Sequence, residues 1–263
     1  MAGRDSMTVL VVGATGGIGR LVVAEAIAQG HTTRALVRDA AKARQLPAEA
    51  QIVVGDVTRR TTLSAAVADV DAIVLTLGSD GSGHAGPEEI DYGGVRNVLA
   101  ALGGQPARIA LMTSIGVTTR GSGYNHLLEW KRRSERLVRA SGFPYTIVRP
   151  GWFGMNGPDE HRLVFLQGDR RRSGGPSDGV VARDQIAQVL VRALTAPQAV
   201  NRTFELIAEP GPAPGDLAPL FAALEQDAPG ALDAAKDEAN MPLEKEPGGV
   251  RNDLDKIRAH GGV

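Results

Sequence analysis

The chain has no cysteine, which removes disulfides, thiolate metal sites and a cysteine nucleophile and suits a reducing compartment. It has no excess of either charge. Lys plus Arg number 29 against 30 Asp plus Glu, a net charge of -1, so nothing in the balance points to nucleic acid or an anionic membrane surface. No apolar run approaches the roughly 18 residues of a membrane span, and no basic segment precedes a long apolar stretch near Met1. These absences predict a cytoplasmic protein that binds neither membrane nor nucleic acid. The five His are scattered and no His/Asp/Glu spacing suggests a metal site. What remains is a chain of 263 residues, enough for one full α/β core and a small appendage, acting on a small molecule as a monomer or homodimer.

Short apolar runs rich in β-branched residues recur at 8–12, 32–37, 51–54, 72–77, 108–112 and 145–148, spaced widely enough for helices between them. The expected helices are 17–29, 61–68, 87–102, 125–141 and 183–195. Gly30, Gly103 and Gly142 stand where helices should end, and Pro144 stops any continuation. Runs apolar on both faces predict strands covered on both sides, and therefore a Rossmann-type, doubly wound parallel α/β sheet. After Pro150 the pattern weakens, then resumes at 180–182, 183–195 and 203–207, which predicts a small C-terminal substrate-side subdomain. The expected organisation is a disordered leader over 1–6, a nucleotide-binding domain over 7–208, and a Pro-rich linker with a polar, disordered or partner-docked tail over 209–263.

The most informative segment is Val9-Leu-Val-Val-Gly13-Ala14-Thr15-Gly16-Gly17-Ile18-Gly19. Three glycines spaced G-x-x-G-x-x-G follow a buried strand and open a helix. Gly13 permits the tight turn, Gly16 lets the backbone approach a pyrophosphate, and Gly19 allows helix and strand to pack closely. The N–H groups of the first helical turn then face the phosphates. The alternative is a tight turn with no ligand. The dinucleotide is selected about 20 residues further on, where a carboxylate would take the ribose hydroxyls of NAD and a cation the 2′-phosphate of NADP. Here the strand ends Val37-Arg38-Asp39. Arg38, with Lys42 one turn later, favours NADP(H) over NAD(H). Asp39 argues the other way unless it caps the helix beginning at Ala40.

On these residues, with Gly55-Asp56-Val57, Glu129-Trp-Lys131-Arg-Arg-Ser-Glu135 and Ser141-Gly-Phe-Pro-Tyr-Thr-Ile-Val-Arg-Pro150-Gly151, the sequence resembles the short-chain dehydrogenase/reductase superfamily. The likeness is to its atypical NmrA-like, NAD(P)H-binding branch, related to the NAD-dependent epimerases and dehydratases, and spans about residues 7–208. The resemblance implies that Asp56 and Val57 hold the adenine, that Leu77 and Gly78 line the ribose, and that Pro150, Trp152 and Phe153 flank the nicotinamide. From the residues alone, Asp56 is equally a cap for the next helix.

The superfamily's acid/base pair is a Tyr-x-x-x-Lys on the helix after the fifth strand, with a Ser or Thr at that strand's end. Ser114 and Lys131 suit two of the three positions, but the residue four before Lys131 is Leu127, and a leucine cannot exchange a proton. Candidate substitutes are Tyr124, two turns before Lys131 and so about 10 Å along the same face, His126, and Lys131 itself. The resemblance offers precedents: isoflavone-reductase-like enzymes use the lysine, and flavin and biliverdin reductases transfer hydride with little help from a protein acid. The basic triplets 131–133 and 170–172 read as solvated faces, the second in a loop expected to cover the site. Trp130 reads as packing and Trp152 as a wall of the nicotinamide pocket. Three functions follow: an NADP(H)-dependent oxidoreductase with a pocket built by Ser114, Tyr124, Lys131 and the 152–168 loop; a non-catalytic NADP(H)-binding or redox-sensing protein; and a sugar-nucleotide epimerase or dehydratase.

Overall fold

The computed structural model describes residues 6–79, 86–120 and 125–261. Residues 1–5 of the expected leader, Tyr124 and the last two residues lie outside the described residues. The chain alternates strand and helix through β1 (Thr8–Val12), α1 (Gly19–Ala28), β2 (Thr32–Val37), β3 (Gln51–Val54), α2 (Ser64–Val67), β4 (Ala72–Leu75), α3 (Gly93–Leu102), β5 (Arg108–Met112), α4 (Asn125–Ala140) and β6 (Tyr145–Pro150). The remainder contributes β7 (Trp152–Phe153), β8 (Arg162–Leu166), β9 (Val180–Val181), α5 (Arg183–Thr195), β10 (Arg202–Glu209), α6 (Ala218–Ala222) and α7 (Gly248–Gly261).

Among the described residues these strands form one sheet in the order β3-β2-β1-β4-β5-β6-β10-β9-β7, with β8 also paired to β10. From β3 to β10 every neighbour runs parallel. The doubly wound parallel sheet is the Rossmann-like α/β architecture expected. Its central strands are buried on both faces, as their unbroken apolar runs require. One core packs Val9, Val11 and Val74 against α1 and α5, through Val22, Val23, Ile186 and Leu190. The other packs Leu10, Ile73 and Ile109 against α3, α4 and α7, through Val95, Leu99, Leu137 and Leu254.

Several local expectations need correcting. The helix expected over 61–68 is a 3-10 turn (Arg60–Thr62) followed by the short α2. The helix expected over 87–102 begins as a π-helical segment, Pro87–Tyr92, before α3. The strands β7 and β8 lie in the stretch after Pro150 where the sequence predicts no strand before 180, and β8 runs antiparallel to β10.

The larger correction concerns the C-terminal residues, which are folded onto the domain and not disordered. Val250, Leu254 and Ile257 of α7 join the core beside α3 and α4, and Asp253 accepts hydrogen bonds from Tyr92 Oη and Arg96 Nη1, each at 3.1 Å. The triplet 131–133 is likewise no solvated face: Lys131, Arg132 and Arg133 are all buried. Arg132 and Arg136 reach Asp233 at 3.2 and 2.7 Å, and Arg133 reaches Glu246 at 2.6 Å. Arg139 reaches Asp227 at 3.3 Å. Acidic residues of the supposed tail thus neutralise a basic helix that would otherwise need water.

Beneath this cover lies Arg149 of β6, which bonds through two nitrogens to Glu135 (3.0 and 2.7 Å) and through two to Asp237 (2.8 and 2.7 Å). It also approaches Glu205 Oε1 at 3.4 Å. Burial pushes the Glu205 carboxyl up to about 7, against the charge of Arg149, which lowers it, and with help from that of Asp169. A carboxyl whose folded value is raised keeps its proton more readily folded than unfolded, so its contribution to stability is present below about pH 4.5 and lost as pH rises toward 7. Glu205→Gln is therefore expected to gain on the wild type by about 2–3 kcal/mol between pH 5 and pH 8, measured by urea unfolding. Taking the difference between the two proteins cancels the opposite trend from buried His31, whose value is lowered by burial. Parallel curves would show that the carboxylate is ionised throughout.

Candidate cofactor and substrate site

The ends of β1 to β5 open on a cavity of about 580 Å³, at the switch point where the chain, having run outward from β1 through β2 to β3, crosses back to β4 on the other side of β1. Its floor is the glycine loop. Gly13 has φ of +87°, and an added Cβ there would meet Thr76 O at 2.8 Å. At Gly19 an added Cβ would penetrate the Gly13 carbonyl, so α1 can cross this close to the strand only without a side chain. Gly16 and Gly17 face the cavity, and Gly78 on the facing loop has no atom within 4 Å of an added Cβ.

The structure brings Gly13, Thr15, Gly16, Gly17, Ile18, Arg38, Asp56, Val57, Leu77, Gly78, Ser114, Lys131 and Phe153 to this cavity. Ala14 and Gly19 are buried behind the loop, and neither Pro150 nor Trp152 lines it. Successive residues of β7 face opposite ways, and Phe153 takes the cavity side. Of the 152–168 loop expected to wall the pocket, Phe153 alone is a lining residue. Arg172 is also elsewhere: it bonds Thr118 Oγ1 at 2.9 Å and pairs with Glu238 at 3.0 Å.

Asp39 caps the 3-10 turn Ala40–Gln45, its Oδ1 accepting from Ala41 N at 2.8 Å, which leaves Arg38 as the charged group that the end of β2 gives to the cavity. Asp56 caps no helix: the N-cap of the 3-10 turn Arg60–Thr62 is Arg59 and that of α2 is Leu63, neither with a side-chain cap. Asp56 Oδ1 accepts from Thr58 N and Oγ1, at 2.9 and 2.8 Å, and the residue lines the cavity. Burial would raise its carboxyl, but the Thr58 hydrogen bonds and the charges of Arg59 and Arg38 hold it below the usual range.

At the far end, Lys131 Nζ donates to Asp91 Oδ1 at 2.6 Å. Asp91 is 3% exposed, and its Oδ2 is buried without a hydrogen-bond partner. This pairing aims the ammonium at the cavity and leaves it two hydrogens to donate. Sequence reasoning missed Asp91, because Pro87-Glu-Glu-Ile-Asp91 reads as a helix start, whereas the π-helical turn sets Asp91 against α4. Ser114 Oγ donates to Ile115 O at 2.8 Å and can still accept. Leu127, one turn before Lys131, lines the cavity where the superfamily's tyrosine would stand. His126 accepts from Trp130 Nε1 at 3.3 Å and is not a lining residue. Trp130 packs on Tyr92 with ring centroids 5.2 Å apart.

The cavity is long, floored by glycine backbone, and lined by Arg38, Lys131 and Arg183 against one carboxylate, Asp56, among the described residues. That donor set fits an anionic dinucleotide. The sequence profile described as NAD(P)H-binding matches residues 13–197, and the chain belongs to that family. Among curated relatives, an NAD(P)H azoreductase from Xenophilus azovorans is 31% identical over 204 residues, covering 74% of this chain and 66% of its own length. A sanguinarine reductase from Eschscholzia californica is 25% identical over 261 residues, covering 82% and 95%. A Rossmann-fold NAD(P)-binding protein from Shigella flexneri superposes with a TM-score of 0.58 at 24% identity, covering 80% of this chain and 96% of that one, which supports the fold. Four further relatives are chloroplastic plant proteins, of whose length the matches span 72%, 34%, 43% and 36%. Among the described residues no helix is long and apolar enough to cross a membrane.

Proposed function

We propose that the protein is an NADP(H)-dependent oxidoreductase whose acceptor is an electron-poor, largely apolar molecule of quinone, flavin, azo or iminium type. The observation that carries this reading is Leu127: the cavity holds a positioned lysine and a serine but presents hydrocarbon where a phenol would donate a proton. The reduced nicotinamide supplies a hydride, one hydrogen with two electrons. A quinone or an aryl azo compound that accepts it spreads the incoming charge over its rings and takes the remaining proton from water, and a flavin or iminium acceptor also needs no strong acid at the site. Ile90, Leu127 and Phe153 provide an apolar wall for such an acceptor. Lys131, anchored by Asp91, holds the cofactor's ribose and orients the reacting ring, and orientation is most of what hydride transfer demands. Two relatives named as an azoreductase and a sanguinarine reductase support this acceptor class.

NADP over NAD rests on Arg38 at the mouth of the cavity and on Asp39 being engaged in its cap. Arg38→Ala is expected to raise the NADPH dissociation constant about 30-fold, as loss of a charge-assisted contact does, and to leave NADH within about twofold. Fluorescence titration of both nucleotides checks this. Equal losses for the two would remove the 2′-phosphate from the argument. Consumption of NADPH with menadione or free flavin tests the enzymatic reading itself. Tight NADPH binding with no turnover on any acceptor of this class would favour the redox-sensing alternative.

A further inference from the structure

Arg183 is a cavity-lining residue for which the proposed function has assigned no task. It is the first residue of α5, set there by the parallel pairing of β7 with β9, in which Phe153 stands opposite Val181. Gln185 Oε1 fixes the helix start by accepting from Ala182 N at 2.9 Å. The Arg183 guanidinium carbon lies 4.9 Å from the centre of the Phe153 ring, a cation-π stack. The side chain then runs over the glycine loop. A Cβ added at Gly17 would meet only Arg183, with Nε at 3.7 Å and Cδ at 4.0 Å. A Cβ added at Gly154 would strike the guanidinium itself.

Among the described residues the Arg183 side chain has no carboxylate partner and no hydrogen bond. It also stands in the first turn of a helix, where a cation is disfavoured by the helix dipole. An unpaired fork of donors held a few ångströms above the second half of a glycine loop is suited to two neighbouring phosphate oxygens.

We propose that Arg183 is the upper jaw of the pyrophosphate site. The backbone of Gly16 and Gly17 holds the bridge from below, and the guanidinium, stacked on Phe153, closes on it from above. The inference rests on dinucleotide binding and extends it to a residue after the sixth strand, outside the glycine loop. Because Phe153 also lines the cavity on which the acceptor reading rests, the jaw ties nucleotide binding to the shape of the acceptor pocket.

The test is fluorescence and calorimetric titration of Arg183→Ala, Arg183→Lys and Phe153→Leu with NADPH, NADH and 2′-AMP, the last of which has a 2′-phosphate but no phosphate on the 5′ side. Arg183→Ala is expected to weaken NADPH and NADH alike by about 30-fold, the effect of one charge-assisted bidentate contact, and 2′-AMP by no more than about threefold. Arg183→Lys keeps the charge without the fork or the stack and is expected to lose about fivefold. Phe153→Leu, which keeps Arg183 but removes its platform, should fall between. Unchanged nucleotide affinities in both Arg183 variants would overturn the proposal. So would an unchanged nucleotide affinity with a raised KM for an anionic acceptor, which would give Arg183 to the substrate, or a loss for 2′-AMP as large as that for NADPH. The thermal midpoint without nucleotide should not move, because no hydrogen bond or ion pair of Arg183 is lost. If it falls, Phe153→Leu supplies the decisive comparison. A wild type that binds neither NADPH nor NADH would sink dinucleotide binding itself, an outcome distinct from any variant effect.

Discussion

Glu135→Ala is expected to destabilise the protein by about 3–5 kcal/mol, the scale found when one member of a buried ion pair is deleted. Glu135 is fully buried. Its Oε2 accepts from Arg149 Nη2 at 2.7 Å and from Arg139 Nη1 and Nη2 at 3.3 Å, and its Oε1 accepts from Arg149 Nε at 3.0 Å and Thr113 Oγ1 at 2.7 Å. Alanine leaves two guanidinium groups short of countercharge in a site that water does not reach. Asp237 and Asp227 still face them, which keeps the loss from growing further. Against the roughly 5–15 kcal/mol that holds a typical domain folded, this is about a fifth or more of the total, and the thermal midpoint should drop by roughly 10 °C. The effect also reaches the site, because Thr113 lines the cavity beside Ser114. Urea unfolding gives the number, and a loss below about 1 kcal/mol, far short of the buried-pair scale, would mean that water enters the network. Glu135→Gln keeps the shape and one acceptor, and should lose less.

The fold is legible wherever sequence periodicity reports burial directly. Strands apolar on both faces and the glycine loop between β1 and α1 leave one architecture, and every parallel strand from β3 to β10 falls within a few residues of its apolar run. The cofactor floor is legible for the same reason, since a glycine spacing is a local property of the backbone. Pairing between distant charges is not. The helix α4 carries Lys131, Arg132, Arg133, Arg136 and Arg139, and a helix so basic reads as exposed unless its countercharges are known. They are present in Asp227, Asp233 and Glu246, but in a stretch whose low hydrophobicity reads as a tail. Two signals point to the pairing: the complementary signs of the two segments, and the spacing of Val250, Leu254 and Ile257, which puts them on one face of a helix. Asp91 is hidden by the π-helical turn, whose phase no helical periodicity predicts. Phe153 and Arg183 come together only through the pairing of two-residue strands, too short to announce themselves.

Leu127→Tyr is expected to create a carbonyl reductase activity. Positions 127 and 131 are one turn apart on the same face of α4, about 6 Å along its axis, and both line the cavity. A phenol at position 127 would therefore stand beside the Lys131 ammonium, whose charge favours the phenolate and lowers the cost of giving up a proton. Ketones and aldehydes need that proton as hydride arrives, since an alkoxide is too basic to form unaided, whereas quinones and flavins delocalise the incoming charge over a ring. Acid catalysis by a positioned side chain is worth about 10²–10⁴-fold. The variant should raise kcat/KM for a small ketone by about 100-fold, the lower end of that range, and leave menadione reduction within about threefold. A new pH dependence with a basic limb should appear for the ketone only. Equal changes for both acceptors would mean that the introduced phenol acts by reshaping the pocket. No change for the ketone, with NADPH affinity intact, would place the acceptor away from Lys131 and reopen the assignment of the whole acceptor end of the cavity.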